Sequence, residues 1–87
     1  MKQYALSLER AAFKQLERLP EDIRVRIADA INALANDPRP FGCKKLAGRE
    51  AYRLRIGDYR VVYELDDNNS AVLIVTVLHR KDVYRQK

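Results

Sequence analysis

The chain has 87 residues, 47% hydrophobic and 33% charged, a balance that excludes both a disordered polyelectrolyte and a membrane-embedded chain. One domain accounts for the length, and it buries roughly 60–65% of the surface that the unfolded chain exposes. The net charge of +5 is segregated: residues 1–38 carry six Lys/Arg against six Asp/Glu, residues 61–87 four against four, and residues 39–60 seven against two. Such a block marks a surface for a nucleic acid or another polyanion, although an acidic protein would also satisfy it.

In chain order, Gln3 to Leu8 alternates Tyr4, Leu6 and Leu8 with Gln3, Ala5 and Ser7, which is the period of a strand. A helix is expected from Ser7 or Glu9, with Ala12, Phe13, Leu16 and Leu19 on one face, until Pro20 breaks it. Glu21 and Asp22 favour the positive end of a second helix, whose stripe of Ile23, Ile27, Ala30, Ile31 and Leu34 runs to Asn36-Asp37-Pro38. The pair forms a helical hairpin covering one face of a sheet. From Arg39 to Ala51, Pro40, Gly42 and Gly48 are mixed with Lys44, Lys45 and Arg49, so this stretch is expected to be a basic loop without a regular element.

Tyr52-Arg-Leu-Arg-Ile-Gly-Asp-Tyr-Arg-Val-Val-Tyr63 follows, two alternating runs joined by Gly57-Asp58. Glycine at the first position of a two-residue hairpin loop supplies the positive φ that position needs. The loop sets Ile56 opposite Tyr59 and Arg55 opposite Arg60, so Arg53, Arg55 and Arg60 share one face. Like charges directly across a sheet destabilise it by a few tenths of a kcal/mol or more. Three of them on one face point to anion binding rather than to simple solvation.

Asp66 to Ser70 is a polar turn, and Ala71 to Leu78 is an apolar, β-branched run expected to be a central strand buried on both faces. His79 to Lys87 is polar again, and a rigid strand before it would aim His79, Arg80 and Tyr84 beside the arginine hairpin if the strands are neighbours. The order β-α-α-β-β-β predicts a single α+β domain over 1–87: an N-terminal strand, a helical hairpin, then a three-stranded antiparallel meander, with the helices on one face. Cys43 is the lone cysteine, which rules out an internal disulfide and indicates a reducing compartment. With no apolar stretch near 18 residues and no charged-then-apolar leader, a cytoplasmic location is expected.

The arginine hairpin together with His79-Arg-Lys-Asp-Val-Tyr84, after a strand and a helical hairpin, resembles the RelE toxins of bacterial and archaeal toxin–antitoxin pairs. The resemblance spans essentially the whole chain, with its strength in these two motifs. It implies a ribosome-dependent endoribonuclease that cleaves mRNA in the ribosomal A site and is held inactive by a RelB-type antitoxin. Carried over by motif, Arg53 and Arg55 take two basic positions of the first hairpin strand that are often lysines. Arg60 takes the arginine of the turn-and-strand motif, Arg80 the arginine near the end of the last strand, and Tyr84 the tyrosine that stacks on RNA. Because a guanidinium stays protonated, arginine at 53 and 55 shifts proton transfer toward His79 or Tyr84.

The residues suit this chemistry without the family. A ribose 2′-hydroxyl attacking the adjacent phosphate yields a cyclic phosphate and a free 5′-hydroxyl, and fixed guanidiniums stabilise the charge that accumulates on phosphorus-bound oxygens. Lys44, Lys45, Arg49 and Lys81 would attract the RNA backbone. One His and one Cys cannot build the usual metal site, and no Gly-rich phosphate loop is visible, so no cofactor is expected. Two other functions fit the residues less well: a ParE-like toxin of the same fold that binds gyrase, and a non-catalytic basic module that binds RNA or the ribosome.

Overall fold

The structure, a computed structural model, describes residues 3–48 and 50–83, with side chains through Lys81. Its elements are β1 (Ala5–Leu8), α1 (Arg10–Glu17), α2 (Glu21–Ala33), β2 (Lys44–Lys45), β3 (Ala51–Ile56), β4 (Tyr59–Asp66), β5 (Ala71–His79) and α3 (Arg80–Val83). The five strands form one sheet in the order β1-β5-β4-β3-β2. β1 runs parallel to β5, and the other pairs are antiparallel. The α+β architecture and the β3-β4-β5 meander are as the sequence predicts.

Pro20 separates the helices and stands at the N-cap of α2, where its missing N–H costs nothing; Glu21 and Asp22 occupy the first turn, at the positive end of the helix dipole. Ala12 of α1, Ile27 and Ile31 of α2, and Leu34 pack on Tyr52, Leu54, Val61, Tyr63, Leu65, Val72, Ile74 and Val77. Each larger aliphatic side chain so buried contributes about 1.5–3 kcal/mol. Tyr63 is fully buried, and its hydroxyl donates to the carbonyl of Pro38 at 2.7 Å, which ties the end of the helical hairpin to the sheet. Burial pushes its phenol well above the usual range.

Three expectations need correction. The segment from Arg39 to Ala51 does contain a regular element, since Lys44 and Lys45 pair with Arg53 and Tyr52 as a short edge strand. β5 is an interior strand, second in the sheet after β1, and is not buried on both faces: Val72, Ile74 and Val77 are buried under the helices, while Ala71, Leu73, Val75 and Leu78 are half-buried. Its buried positions break the two-residue period because Val62 pairs with Thr76 and Tyr63 with Ile74, leaving Val75 as the extra residue of a β-bulge. Finally, His79 belongs to β5, and the polar tail begins with the turn of helix α3.

β1 reaches only as far as Ile74 along β5. Beyond it, Gln15 of α1 takes over the strand edge, its Oε1 accepting from the Thr76 hydroxyl at 3.0 Å and from the Val77 N–H at 2.8 Å. A side chain thereby satisfies a backbone donor that a longer β1 would have paired.

Candidate nucleic-acid interface

The β3–β4 hairpin turns at Gly57, whose φ is +59°, while Asp58 keeps an ordinary negative φ, so glycine sits at the turn position that requires it. The register is the expected one: Ile56 opposes Tyr59, Arg55 opposes Arg60 and Arg53 opposes Val62. Because the other parity of β3 and β4 carries the core residues Tyr52, Leu54, Val61 and Tyr63, the three arginines lie on the face away from the helices. Pairing of Lys44 with Arg53 adds a fourth cation to that face. Arg60 is half-buried, with Nη1 shielded from solvent, whereas Arg55 is exposed.

α3 closes on the hairpin turn. The Arg80 N–H donates to the Asp58 carbonyl at 2.7 Å, and the Arg80 Nε stands 3.9 Å from Asp58 Oδ1. The backbone bond holds Arg80 beside the turn; the exposed ion pair adds little. His79 pairs with Tyr59 across β4 and β5, and their rings meet edge to face with centroids 5.1 Å apart. β4 and β5 are thus neighbours, but His79 shares the side of Tyr59 and Val61, opposite to the three arginines. The Lys81 N–H donates to His79 Nδ1 at 3.2 Å, so in the neutral ring the proton is on Nε2. That tautomer presents a donor, and its basic nitrogen is already engaged.

The structure also divides the basic segment. Lys45 Nζ bonds Glu50 Oε1 at 2.9 Å, and this hydrogen bond raises the lysine above its ordinary value. Arg39 Nη2 bonds Asp67 Oδ2 at 2.7 Å and its Nε donates to the Tyr52 hydroxyl at 3.0 Å, with the guanidinium 5.3 Å from the Tyr52 ring centre. These contacts border a groove of about 870 Å³ whose charged lining is Arg39 and Lys45 against Glu50, Glu64, Asp66 and Asp67. Four carboxylates against two cations do not suit a polyanion. The groove lies toward the Asp66 end of β4, about 20 Å along the strand from Arg60 at a rise of roughly 3.3 Å per residue.

Of the basic residues singled out in the sequence, Lys44, Arg53, Arg55, Arg60 and Arg80 therefore gather on or beside the hairpin, with Lys81 exposed next in α3. Lys45 is turned to Glu50, and Arg49 and Tyr84 lie outside the described residues. Two site neighbours were not anticipated. Tyr59 was expected opposite Ile56, but its pairing with His79 depends on how β4 lies against β5. Arg26 of α2, whose Nη1 and Nη2 stand 3.8 Å from where a Cβ of Gly57 would be, leaves no signal in the sequence. Among the described residues, no group of three or more His, Cys, Asp or Glu side chains is placed to hold a metal ion.

The sequence model of a family described as the ParE toxin of the type II toxin–antitoxin system parDE matches residues 6–84. Toxin RelG of Mycobacterium tuberculosis is 32% identical, over 95% of this chain and 98% of its own length. Toxin RelE of the same organism is 33% identical, over 94% and 87%. Among solved structures, the toxin–antitoxin complex RelBE2 of Mycobacterium tuberculosis contains a chain that superposes with a TM-score of 0.78 at 27% identity, covering 90% of this chain and 99% of that one. A chain of the archaeal RelE–RelB complex of Pyrococcus horikoshii gives 0.79 at 25%, covering 90% and 96%.

Proposed function

Because this chain belongs to the RelE/ParE family of toxins from type II toxin–antitoxin systems, we propose that it is a ribosome-dependent endoribonuclease that cleaves mRNA in the ribosomal A site. The observation that supports this reading most is the group of guanidiniums at one hairpin turn. Arg55 and Arg60 are set opposite each other by the register, and Arg80 is held there by its backbone bond to Asp58. Rigid cations at one place stabilise charge as it develops on a phosphate, without reorganising during the reaction.

In this mechanism the 2′-hydroxyl gives its proton to water as its oxygen bonds to the adjacent phosphorus, the bond from phosphorus to the 5′-oxygen breaks, and the 5′-oxygen leaves with a proton taken from water. Arg60, partly shielded from water, and Arg80 stabilise the crowded phosphate. Arg53 and Arg55 orient the backbone for in-line attack. His79 faces the other side of the sheet and takes no part in this step; Tyr84 stacks on an unpaired base, a contact worth ~1–3 kcal/mol. Lys44, Arg49 and Lys81 draw the RNA in by charge, whereas Lys45 is engaged by Glu50. The partners are the ribosome with its bound message and a RelB-like antitoxin, for which the relatives solved in RelB–RelE complexes provide the precedent. A cytoplasmic location accords with these partners, and among the described residues no helix is long and apolar enough to cross a membrane.

The deciding experiment is expression without an antitoxin, followed by primer extension on ribosome-bound message. New 5′ ends within codons are expected, together with arrested translation. Arrest with intact message would overturn the nuclease reading. The ParE description of the matching family favours a second reading, a toxin that binds gyrase. Loss of supercoiling activity in a gyrase assay, with RNA intact, would establish that alternative.

A further inference from the structure

We propose that Arg26 is a further contact to an RNA backbone phosphate, reached from α2 around the hairpin turn; the inference rests on the reading of the turn as an RNA interface. Arg26 has two carboxylates on its own helix at spacings that permit ion pairs, Asp22 four residues before it and Asp29 three residues after it. Among the described residues it forms a salt bridge with neither. Its guanidinium instead lies over Gly57, with both terminal nitrogens 3.8 Å from the point where a Cβ would stand. A side chain at position 57 would touch the guanidinium and screen it from a chain crossing the turn. Glycine leaves it accessible.

This placement changes the shape of the cationic surface. Arg53, Arg55 and Arg60 occupy the face of the sheet away from the helices, and Arg80 stands at the turn itself. Arg26 comes from the helix-covered side. The hairpin tip is therefore cationic on both sides of the sheet, with Asp58 the single acid in the loop. A strand of RNA laid across the tip can hold phosphates on both sides of it, whereas an RNA confined to the open face would have no use for Arg26. The phosphate could belong to the message or to ribosomal RNA.

The test is the salt dependence of binding, because removing one cation that neutralises a phosphate makes the slope of log K against log salt shallower by about 0.7–1. The probes are a short single-stranded RNA made uncleavable by 2′-O-methylation, and ribosomes programmed with a message carrying the same modification in the A-site codon. Arg26→Gln, and Arg26→Met, which keeps an aliphatic stem over Gly57, should each reduce the slope by that amount. Arg26→Lys should preserve it, and Lys14→Gln on α1, an equal change in net charge, should leave it unaltered. A reduction with both probes assigns the phosphate to the message, and a reduction on ribosomes alone assigns it to ribosomal RNA. Unchanged slopes with both probes, equal reductions for Gln and Lys, an equal reduction for Lys14→Gln, or no binding of the wild-type protein to either probe would each overturn the proposal. Since the probes cannot be cut, failure of wild-type protein to cleave ordinary message counts against the nuclease reading alone.

Discussion

Arg55 and Arg60 face each other across one rung of the β3–β4 ladder, close enough for their charges to repel. Removing one charge should therefore separate stability from function. Arg55→Thr is expected to raise the melting temperature, with a gain of roughly 0.2–1 kcal/mol, while weakening RNA binding; a lower melting temperature would show that Arg55 contributes more by packing than it costs by repulsion. Arg60 differs because it is half-buried and shielded at Nη1. Arg60→Ala, like Arg80→Ala, should slow single-turnover cleavage on saturating ribosomes by on the order of 10²-fold, as expected for loss of a transition-state donor. Lys44→Ala should weaken binding only, with a defect that fades at saturation. Full-rate cleavage by both arginine variants would remove the catalytic assignment.

The elements owe their positions to a few contacts across chain-distant segments. On its β1 edge, β5 lacks a strand partner beyond Ile74, and Gln15 fills that place through two hydrogen bonds. Gln15→Ala should cost about 1–3 kcal/mol, because the Val77 N–H loses its acceptor in a partly buried position. Native-state hydrogen exchange at Val77 offers a direct readout: protection there should fall, while that of Val61 in the core persists. No change at Val77 would mean that another acceptor takes over. The consequence reaches the candidate site, since β5 carries His79 and leads into α3, which holds Arg80 against the hairpin turn.

Across the whole molecule, the sheet is polarised along its strands. Cations collect at the Gly57 turn and carboxylates at the opposite end, where Asp67 accepts from Tyr4 at 2.7 Å and from Arg39 and so joins the residue before β1, the chain after α2 and the β4–β5 turn. In that turn, hydrogen bonds from the Asn69 side chain and backbone hold Asp66 below its ordinary value of 3.8. A carboxylate with a depressed folded value stabilises the protein above its unfolded value and loses that contribution as pH falls through the folded one. Thermal melts from pH 5 downward should accordingly show destabilisation beginning near 3.8, and Asp66→Asn should flatten that part of the profile. An unchanged acid limb in Asp66→Asn would assign the loss to other carboxylates. An antitoxin that neutralises the cationic end should protect Arg53, Arg55 and Arg60 from arginine-modifying reagents, while Arg39 at the other end stays as reactive as before.

The sequence by itself determined the features that depend on near neighbours. Alternation in Tyr52–Ile56 and Tyr59–Leu65, with Gly57 supplying the positive φ, is enough to set the register of a hairpin, because its two strands are joined by the turn that aligns them. Pro20 and the apolar stripes of α1 and α2 were legible for the same reason, except that Phe13, expected on the buried face of α1, is exposed. Contacts between distant segments were decided only in three dimensions. The bulge at Val75 depends on how β4 lies against β5, so an apolar run carries no indication of which residues it buries. Lys44 and Lys45 become a strand because β3 offers an edge, and neither residue type favours one. The charge of residues 39–60 is countable along the chain, but its placement is not: Asp67 engages Arg39, Glu50 engages Lys45, and Arg26 joins the hairpin tip from a helix in which acids outnumber arginines. Sequence records how charge is distributed along the chain, whereas an approaching polyanion experiences its distribution in space, and only folding relates the two.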